Sequence, residues 1–306
     1  MEFNHYSVLL SETIEALNIK ENGIYVDGTA GGAGHSKEIA SKLKSGFLYS
    51  LDQDPDAVEV ASQRLSNLPA KVIRSNFKNI KEVLRTEGVE KVDGILLDLG
   101  VSSYQLDEGS RGFSYHKDAP LDMRMSKEGR TAADLVNELS AEELSRIFKD
   151  YGEEQFAFRI AKDIVKQREV SKITTTTQLA EIIASSVPAA ARRDGHPARK
   201  VFQALRIAVN GELDVLKETL DTAFELLNKD GVLAIITFHS LEDGIVKRKF
   251  KEFTQGCTCP PDLPVCVCGK KPRGKLINRK GVVPSDRELK ENKRSRSAKL
   301  RTIIKL

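Results

Sequence analysis

Short apolar runs recur through the first hundred residues, with helix-period stretches between them. Ile24–Gly28 reads Ile-Tyr-Val-Asp-Gly, Phe47–Asp52 closes on an acid, and Lys71–Arg74 and Val92–Asp98 follow. The last is almost continuously apolar, as a parallel strand buried on both faces requires. Between these runs the period changes. Ile39 and Leu43 share one face of His35–Leu43, Pro55 opens a stretch with Val58, Ala61 and Leu65 on one face, and Ile80–Leu84 makes a short turn of helix. Strands separated by helices predict βαβ units and a parallel sheet.

The alternation then stops. Gly100–Gly129 is rich in Gly, Ser, Asp and Pro and predicts an ordered loop region. From Thr131 to about Leu227 the pattern is helical. Ser140 with Glu143 forms a capping box, followed by a stripe of Leu144, Ile147, Phe148 and Tyr151. Phe156, Ile160 and Ile164 form a second stripe, and Leu179, Ile182 and Ile183 a third, with a cap within Thr174–Thr177. Such stripes are core surfaces. Gly231–Phe238 restores the strand pattern and Ser297–Lys305 predicts a last strand. The expected organisation is a core of residues 1–105 and 211–306, interrupted by a helical domain of residues 106–210.

Composition narrows the class. The 306 residues are 40% hydrophobic and 30% charged, as in ordinary globular proteins. The longest apolar runs, Gly94–Leu97 and Val232–Ile236, are strand-length and far short of a membrane span. The first 17 residues carry Glu2, Glu12 and Glu15 without a basic region, unlike a signal peptide. The expectation is a cytoplasmic protein with no membrane partner. The net charge of +4 is uneven: from Lys270 onward there are 14 Lys/Arg against 3 Asp/Glu, and the rest of the chain is mildly acidic. A basic terminal segment suits a polyanion, though a solvated tail has the same composition.

The candidate chemistry begins at Asp27-Gly28-Thr29-Ala30-Gly31-Gly32-Ala33-Gly34-His35-Ser36, between the first strand and the first helix. A Walker loop would end in Gly-Lys-Ser/Thr, and a dinucleotide fingerprint starting at Gly32 would need a glycine where Lys37 stands. Neither phosphate-binding pattern fits, which argues against an NAD-dependent dehydrogenase. S-adenosylmethionine has no phosphate; its ribose, ammonium and sulfonium groups favour nearby carboxylates. Three strand ends offer them: Asp27, Asp52 and Asp98. Asp52 suits a bidentate grip on ribose hydroxyls, because Asp54, directly before Pro55, is better placed to cap the next helix. Asp27 either meets the ligand's amino group or holds the loop. Phe77 either packs on adenine or belongs to the core.

Five longer blocks carry a resemblance. They are Asp93–Ser103 (Asp-Gly-Ile-Leu-Leu-Asp-Leu-Gly-Val-Ser-Ser), Arg111–Ser114 (Arg-Gly-Phe-Ser), Pro120–Met125 (Pro-Leu-Asp-Met-Arg-Met), Phe202–Asn210 (Phe-Gln-Ala-Leu-Arg-Ile-Ala-Val-Asn) and Phe238–Asp243 (Phe-His-Ser-Leu-Glu-Asp). In order and across essentially the whole chain, this resembles the small-subunit ribosomal RNA methyltransferase H family. The resemblance implies an α/β fold, a class I S-adenosylmethionine methyltransferase with a Rossmann-like parallel sheet and an inserted helical domain for substrate recognition. It implies N4-methylation of one cytidine of 16S rRNA at the decoding centre. It implies cofactor contacts at Ala33, Gly34, His35, Asp52, Phe77, Asp98 and Gln105. Ala33 departs from the pattern, where glycine is common.

The reaction so implied joins a methyl group to a delocalised, weakly nucleophilic amino nitrogen. Placement about 3 Å from the methyl and a hydrogen-bond acceptor for the N–H are what the protein must supply. Asp98 is the candidate catalytic residue, with cofactor holding as its other reading; Ser102 and Ser103 are further polar contacts and His239 ranks below Asp98. A base drawn from its stack would meet Tyr104, Phe113, Tyr115 or Phe238 if these are not simply packed. Arg192, Arg193, Arg199, Lys200, Arg206, Arg294, Arg296 and Lys299 are candidate phosphate contacts. The expected partner is 16S rRNA or the small ribosomal subunit, with a homodimer left open; a non-catalytic RNA-binding factor is the reading from another class. Cys257, Cys259, Cys266 and Cys268 form two Cys-x-Cys pairs, either a structural Zn²⁺ site or a set of free or redox-active thiols.

Overall fold

A computed structural model describes residues 7–102, 105, 109–192, 196–257, 259, 265 and 268–306. The chain forms two compact units, Met1–Gly100 with Asp214–Leu306, and Val101–Leu213.

The first unit is built on a seven-stranded sheet. In chain order its elements are α1 (Leu10–Leu17), β1 (Ile24–Asp27), α2 (Gly34–Ser41), β2 (Phe47–Asp52), α3 (Pro55–Leu65), β3 (Ala70–Arg74), α4 (Ile80–Thr86) and β4 (Val92–Asp98). After the second unit come β5 (Leu227–Thr237), α11 (Ser240–Thr254), β6 (Gly274–Leu276), α12 (Asp286–Glu291) and β7 (Lys299–Lys305). The strand order is β3-β2-β1-β4-β5-β7-β6. β3, β2, β1, β4 and β5 run parallel, while β7 and β6 pair antiparallel at the other side. The α/β Rossmann-like class expected from the alternating pattern is the fold observed.

Chain order reverses between β1 and β4, the switch point at which open α/β sheets bind ligands. The register aligns the strand ends there. Asp27 lies level with Ser50 of β2 and Leu96 of β4, so Asp52 and Asp98 each stand two residues further along. One face of the sheet is covered by a cluster of Leu9, Leu17, Tyr25, Ile39, Leu43, Leu48, Leu96, Val232, Ala234, Ile236 and Leu300. The alternate residues Ile95, Leu97, Leu233 and Ile235 are fully buried as well, which explains why β4 and β5 read as unbroken apolar runs.

The basic C-terminal segment is not a solvated tail. β7 lies between β5 and β6, and Arg301, 7% exposed, forks onto Asp243 with Nε–Oδ1 at 2.6 Å and a terminal nitrogen to Oδ2 at 3.0 Å. Lys299 Nζ reaches the same carboxylate at 3.3 Å, and Lys305 Nζ donates to the carbonyls of Glu225 and Leu227. This part of the charge excess is internal wiring. Arg294 and Arg296 remain exposed.

The second unit is helical: α5 (Ala132–Glu138), α6 (Ala141–Gly152), α7 (Ala157–Val170), α8 (Thr176–Ser186) and α9 (Ala198–Asn210), with α10 (Glu212–Leu226) beginning at its end. Capping boxes start three of them, at Thr131 with Asp134, Ser140 with Glu143, and Thr175 with Gln178. The predicted stripes are its core, with Leu144, Phe148, Ile160, Ile164, Leu179 and Ile183 all fully buried.

The loop region ahead of these helices is fixed by polar bonds. Arg111, 8% exposed, donates to the carbonyls of Arg124 and Met125. Asp122 takes two bonds from the Arg124 guanidinium, at 2.9 and 2.7 Å. Asn210 accepts from the Met125 amide and donates to the Met123 carbonyl, at 2.8 and 2.9 Å. Gly112, at φ 71°, sits so close to the Pro120 carbonyl that a Cβ would not fit.

Candidate active site

The glycine-rich turn after β1 is drawn onto the neighbouring strand ends by its own side chains. The Thr29 amide and hydroxyl both donate to Asp27 Oδ1, at 3.0 and 3.3 Å. The Ser36 hydroxyl donates to Asp27 Oδ2 at 2.6 Å and lies 2.8 Å from Ser50 Oγ. Both oxygens of Asp27 are therefore engaged, and of its two sequence readings the structure supports the one in which it holds the loop. Thr29 Oγ1 also accepts from the Asp98 amide at 2.7 Å, joining the turn to the end of β4.

Gly28 lies where a Cβ would strike Leu97 and press on Phe77 Cβ at 3.0 Å. Half-buried Phe77 thus packs beside the bare backbone of the turn. Ala33 precedes α2 in the left-handed region, φ 59° and ψ 24°. That geometry is the physical reason for a glycine at this position. Its methyl is buried beside Ala30, Ala61 and Leu65, which offsets part of the strain. A Cβ on Gly34 would collide with the Ser7 hydroxyl.

The Asp52 carboxylate accepts from the Gly31 amide at 2.8 Å and the Asp54 amide at 2.9 Å. Each oxygen keeps a lone pair for a further donor. Burial pushes its pKa up to about 6, against the lowering effect of those two amides. Asp54 instead caps α3, accepting from the Asp56 amide.

Asp98 is different again. Its Oδ1 is buried with no hydrogen-bond partner among the described residues. Its Oδ2 lies 3.6 Å from His35 Nδ1. His35 Nε2 is 3.1 Å from the Val8 carbonyl, which only accepts, so that nitrogen carries the proton. Burial first, then the charges of Asp27 and Glu242, holds the Asp98 carboxyl well above its ordinary range. A carboxylate so placed is stabilised by any cation that reaches it.

His239 begins α11, with Nε2 3.0 Å from Glu242 Oε1, yet neither ring nitrogen has a hydrogen-bond partner among the described residues. Glu242 is 2% exposed and accepts from the Phe238 and His239 amides at 2.8 and 3.3 Å. The Phe-His-Ser-Leu-Glu-Asp block thus supplies a helix cap through Glu242 and the anchor for Arg301 through Asp243.

The structure brings Ala33, Gly34, His35, Asp52, Phe77 and Asp98 to one end of the sheet. Gln105 belongs to the second unit; it is 4% exposed, and its Oε1 accepts from the Ser102 amide. Ser103, Tyr104, Arg193 and Cys266 lie outside the described residues. One expectation is corrected. Arg206 is bidentate to Glu212, both bonds 2.8 Å, with side chains 15% and 11% exposed, so it is not a phosphate contact. Of its two readings Phe113 takes the packed one, 8% exposed inside the helical core. Thr29, Ser36 and Glu242 were missed. Thr29 and Ser36 flank the glycines, and Glu242 follows His239 at capping-box spacing, which was the available signal.

Residues 2–306 match the MraW methylase family. The chain belongs to it. A protein named ribosomal RNA small subunit methyltransferase H from Clostridium botulinum (strain Loch Maree / Type A3) is 55% identical over 309 residues, covering 100% of both chains. One of the same name from Lachnospira eligens is 55% identical over 311 residues, covering 100% of this chain and 99% of the other. Among solved structures, an rRNA methylase from Streptococcus thermophilus aligns over 97% of this chain and 93% of its own at 12% identity and a TM-score of 0.43. This MraW-family methylase takes its methyl group from S-adenosylmethionine, and the residues present fit that donor. A cationic ligand without phosphate matches a donorless buried carboxylate oxygen on Asp98 and a turn whose sequence fits neither phosphate-binding pattern.

Proposed function

We propose that this methylase transfers a methyl group to the exocyclic N4 of a cytidine in 16S rRNA. The observation that carries the reading is the buried Asp98 Oδ1, which lacks a donor beside a glycine turn. The names of the full-length relatives supply the ribosomal substrate. Such a substrate makes the cytoplasm the compartment of the reaction.

When bound, S-adenosylmethionine supplies an electrophilic methyl on a cationic sulfur. Asp52 would hold the ribose hydroxyls through its spare lone pairs, and half-buried Phe77 would pack on the adenine. The backbone of Ala33, Gly34 and His35 lines the turn. Asp98 faces positive charge and then takes the proton that the cytosine amino group loses. Its raised pKa suits that role, because a weakly acidic carboxyl is the stronger base. His35, with its proton on Nε2, presents the Nδ1 lone pair to Asp98 Oδ2 3.6 Å away, an acceptor for that carboxyl once it carries the proton. The helical unit, Val101–Leu213, recognises the substrate, with Arg199 as an exposed cation for phosphate; in the first unit Arg294 and Arg296 are exposed cations of the same kind.

The experiment incubates the purified chain with small-subunit rRNA, or with assembled subunits, and isotopically labelled S-adenosylmethionine, followed by nucleoside mass spectrometry. N4-methylcytidine at a single position is the expected product. Label on another base or atom would overturn the N4 assignment, and binding without transfer would favour the non-catalytic RNA-binding reading. Titration calorimetry with NAD serves as the negative control.

A further inference from the structure

Every cysteine of this chain falls between residues 257 and 268. Cysteine is among the most buried residue types. Here Cys257 and Cys268 are exposed and Cys259 is half-buried. They nevertheless converge: their sulfurs all lie within 4.8 Å of one another, and Cys257 and Cys268 Sγ are 3.7 Å apart. Two sulfurs each about 2.3 Å from a tetrahedral ion stand about 3.8 Å apart, whereas a disulfide brings them to about 2.0 Å. The Cys257–Cys268 spacing is that of a tetrahedral edge. The Cys259 amide points at Cys257 Sγ from 3.4 Å, an orientation that stabilises a thiolate.

The surroundings say why a cross-link is needed. The segment leaves α11 at Thr254 and returns at Arg273, whose amide donates to the Phe253 carbonyl at 2.9 Å. Gly256 meets Pro272 across the base, and the Arg273 guanidinium lies 5.0 Å from the Phe253 ring centre. Among the described residues from 257 to 272 none is buried, and Val265 is 69% exposed. Apolar burial of these described residues does not offset the entropy of ordering them, whereas a cross-link between the cysteines would.

We propose that Cys257, Cys259 and Cys268 form a structural thiolate site for Zn²⁺ that ties this loop shut. Each thiol loses its proton to solvent as the ion binds. The excess negative charge of three thiolates on one divalent ion is balanced by Lys270, Lys271 and Arg273 next to them. Cys266 lies outside the described residues, and the site is argued without it. The loop follows the C-terminal end of α11, whereas His239 is at its start, and 15 helical residues span about 22 Å. The ion is therefore structural.

The test uses the full chain, purified under reducing conditions without chelator. Elemental analysis is expected to find about one zinc per chain, and Co²⁺ exchanged into the site should give a thiolate-to-metal charge-transfer band. The Cys257→Ser/Cys268→Ser double variant should lose both signals while binding S-adenosylmethionine as before. Chelation should speed tryptic cleavage after Lys270 severalfold in the parent and leave the variant unchanged. A metal-free protein that gives no Co²⁺ band, zinc retained by the double variant, or a Cys257–Cys268 disulfide in the non-reduced peptide map would each overturn the proposal.

Discussion

In the helical unit, the polar side chains of the blocks that carry the resemblance are held by bonds to neighbouring groups. Arg111, Asp122, Arg124, Arg206 and Asn210 all sit in short contacts with carbonyls, amides or opposite charges. At the strand ends of the sheet unit the same kind of residue is left wanting. Asp98 keeps a buried oxygen without a donor, and Asp52 has spare lone pairs at a raised pKa. The difference separates two reasons for a distinctive motif. A satisfied buried network holds a fold together, while an incompletely satisfied one is costly unless a ligand completes it. Asp27 shows the contrast within one turn, because it has the same side chain at an equivalent strand end but is fully bonded to Thr29 and Ser36.

Substitutions can break this comparison, and the largest effect should come from Asp98→Asn. Methyl transfer should fall by roughly 10²–10⁴-fold in single-turnover assays, the usual worth of a positioned acid or base. The melting temperature of the unliganded protein should hold or rise, because a buried acid, further crowded by Asp27 and Glu242, has been replaced by a neutral amide. A large loss of stability would show that Asp98 serves the fold. Asp52→Asn comes next, with S-adenosylmethionine affinity in calorimetry falling about 10- to 100-fold, as for one or two charge-assisted hydrogen bonds. Asn210→Ala should do the opposite of Asp98→Asn. Chemical denaturation should show a loss of about 2 kcal/mol as the Met123 carbonyl and Met125 amide lose their partner, with cofactor affinity retained by the folded fraction.

Acidity sharpens the same point. Asp52 has a folded-state pKa of about 6 against an ordinary 3.8, so the folded protein binds the proton more tightly than the unfolded chain. This carboxyl therefore makes the unliganded protein less stable as pH rises from about 4 to 6, with no further change above. Affinity for the cationic donor should move the other way, falling by up to about tenfold per unit as pH drops below 6. Calorimetry across that range should show both trends, and Asp52→Asn should flatten them. The smallest effect is expected for Ala33→Gly. Relief of a left-handed alanine, worth about 1–2 kcal/mol, is set against loss of a buried methyl, worth about 0.8 kcal/mol. Denaturation midpoints should barely move, and a loss above about 2 kcal/mol would mean that the methyl packs better than its backbone strain suggests.

Much of this architecture was legible along the chain. β4 reads from Val92 to Asp98 without a break because a central parallel strand is apolar on both faces. The helical stripes and the cap at Ser140 are local patterns, and local patterns survive folding. β6 escaped notice because its three residues carry no period. The bonding of Thr29 to Asp98 joins residues 69 positions apart, and no sequence spacing encodes it. The basic terminus misled in the same way: composition counts Arg301 and Lys299 as free charge, and only the sheet shows Asp243 between them.

The order of residues alone determined the alternating α/β core, the helical interruption, the phosphate-free turn and the acids at three strand ends, because periodicity and turn chemistry act over a few residues. Tertiary structure alone decided which acid is bonded and which is left open, which cations face solvent and which cysteines meet. Hydrogen bonding, desolvation and charge depend on neighbours in space, and those neighbours exist only once distant segments have packed.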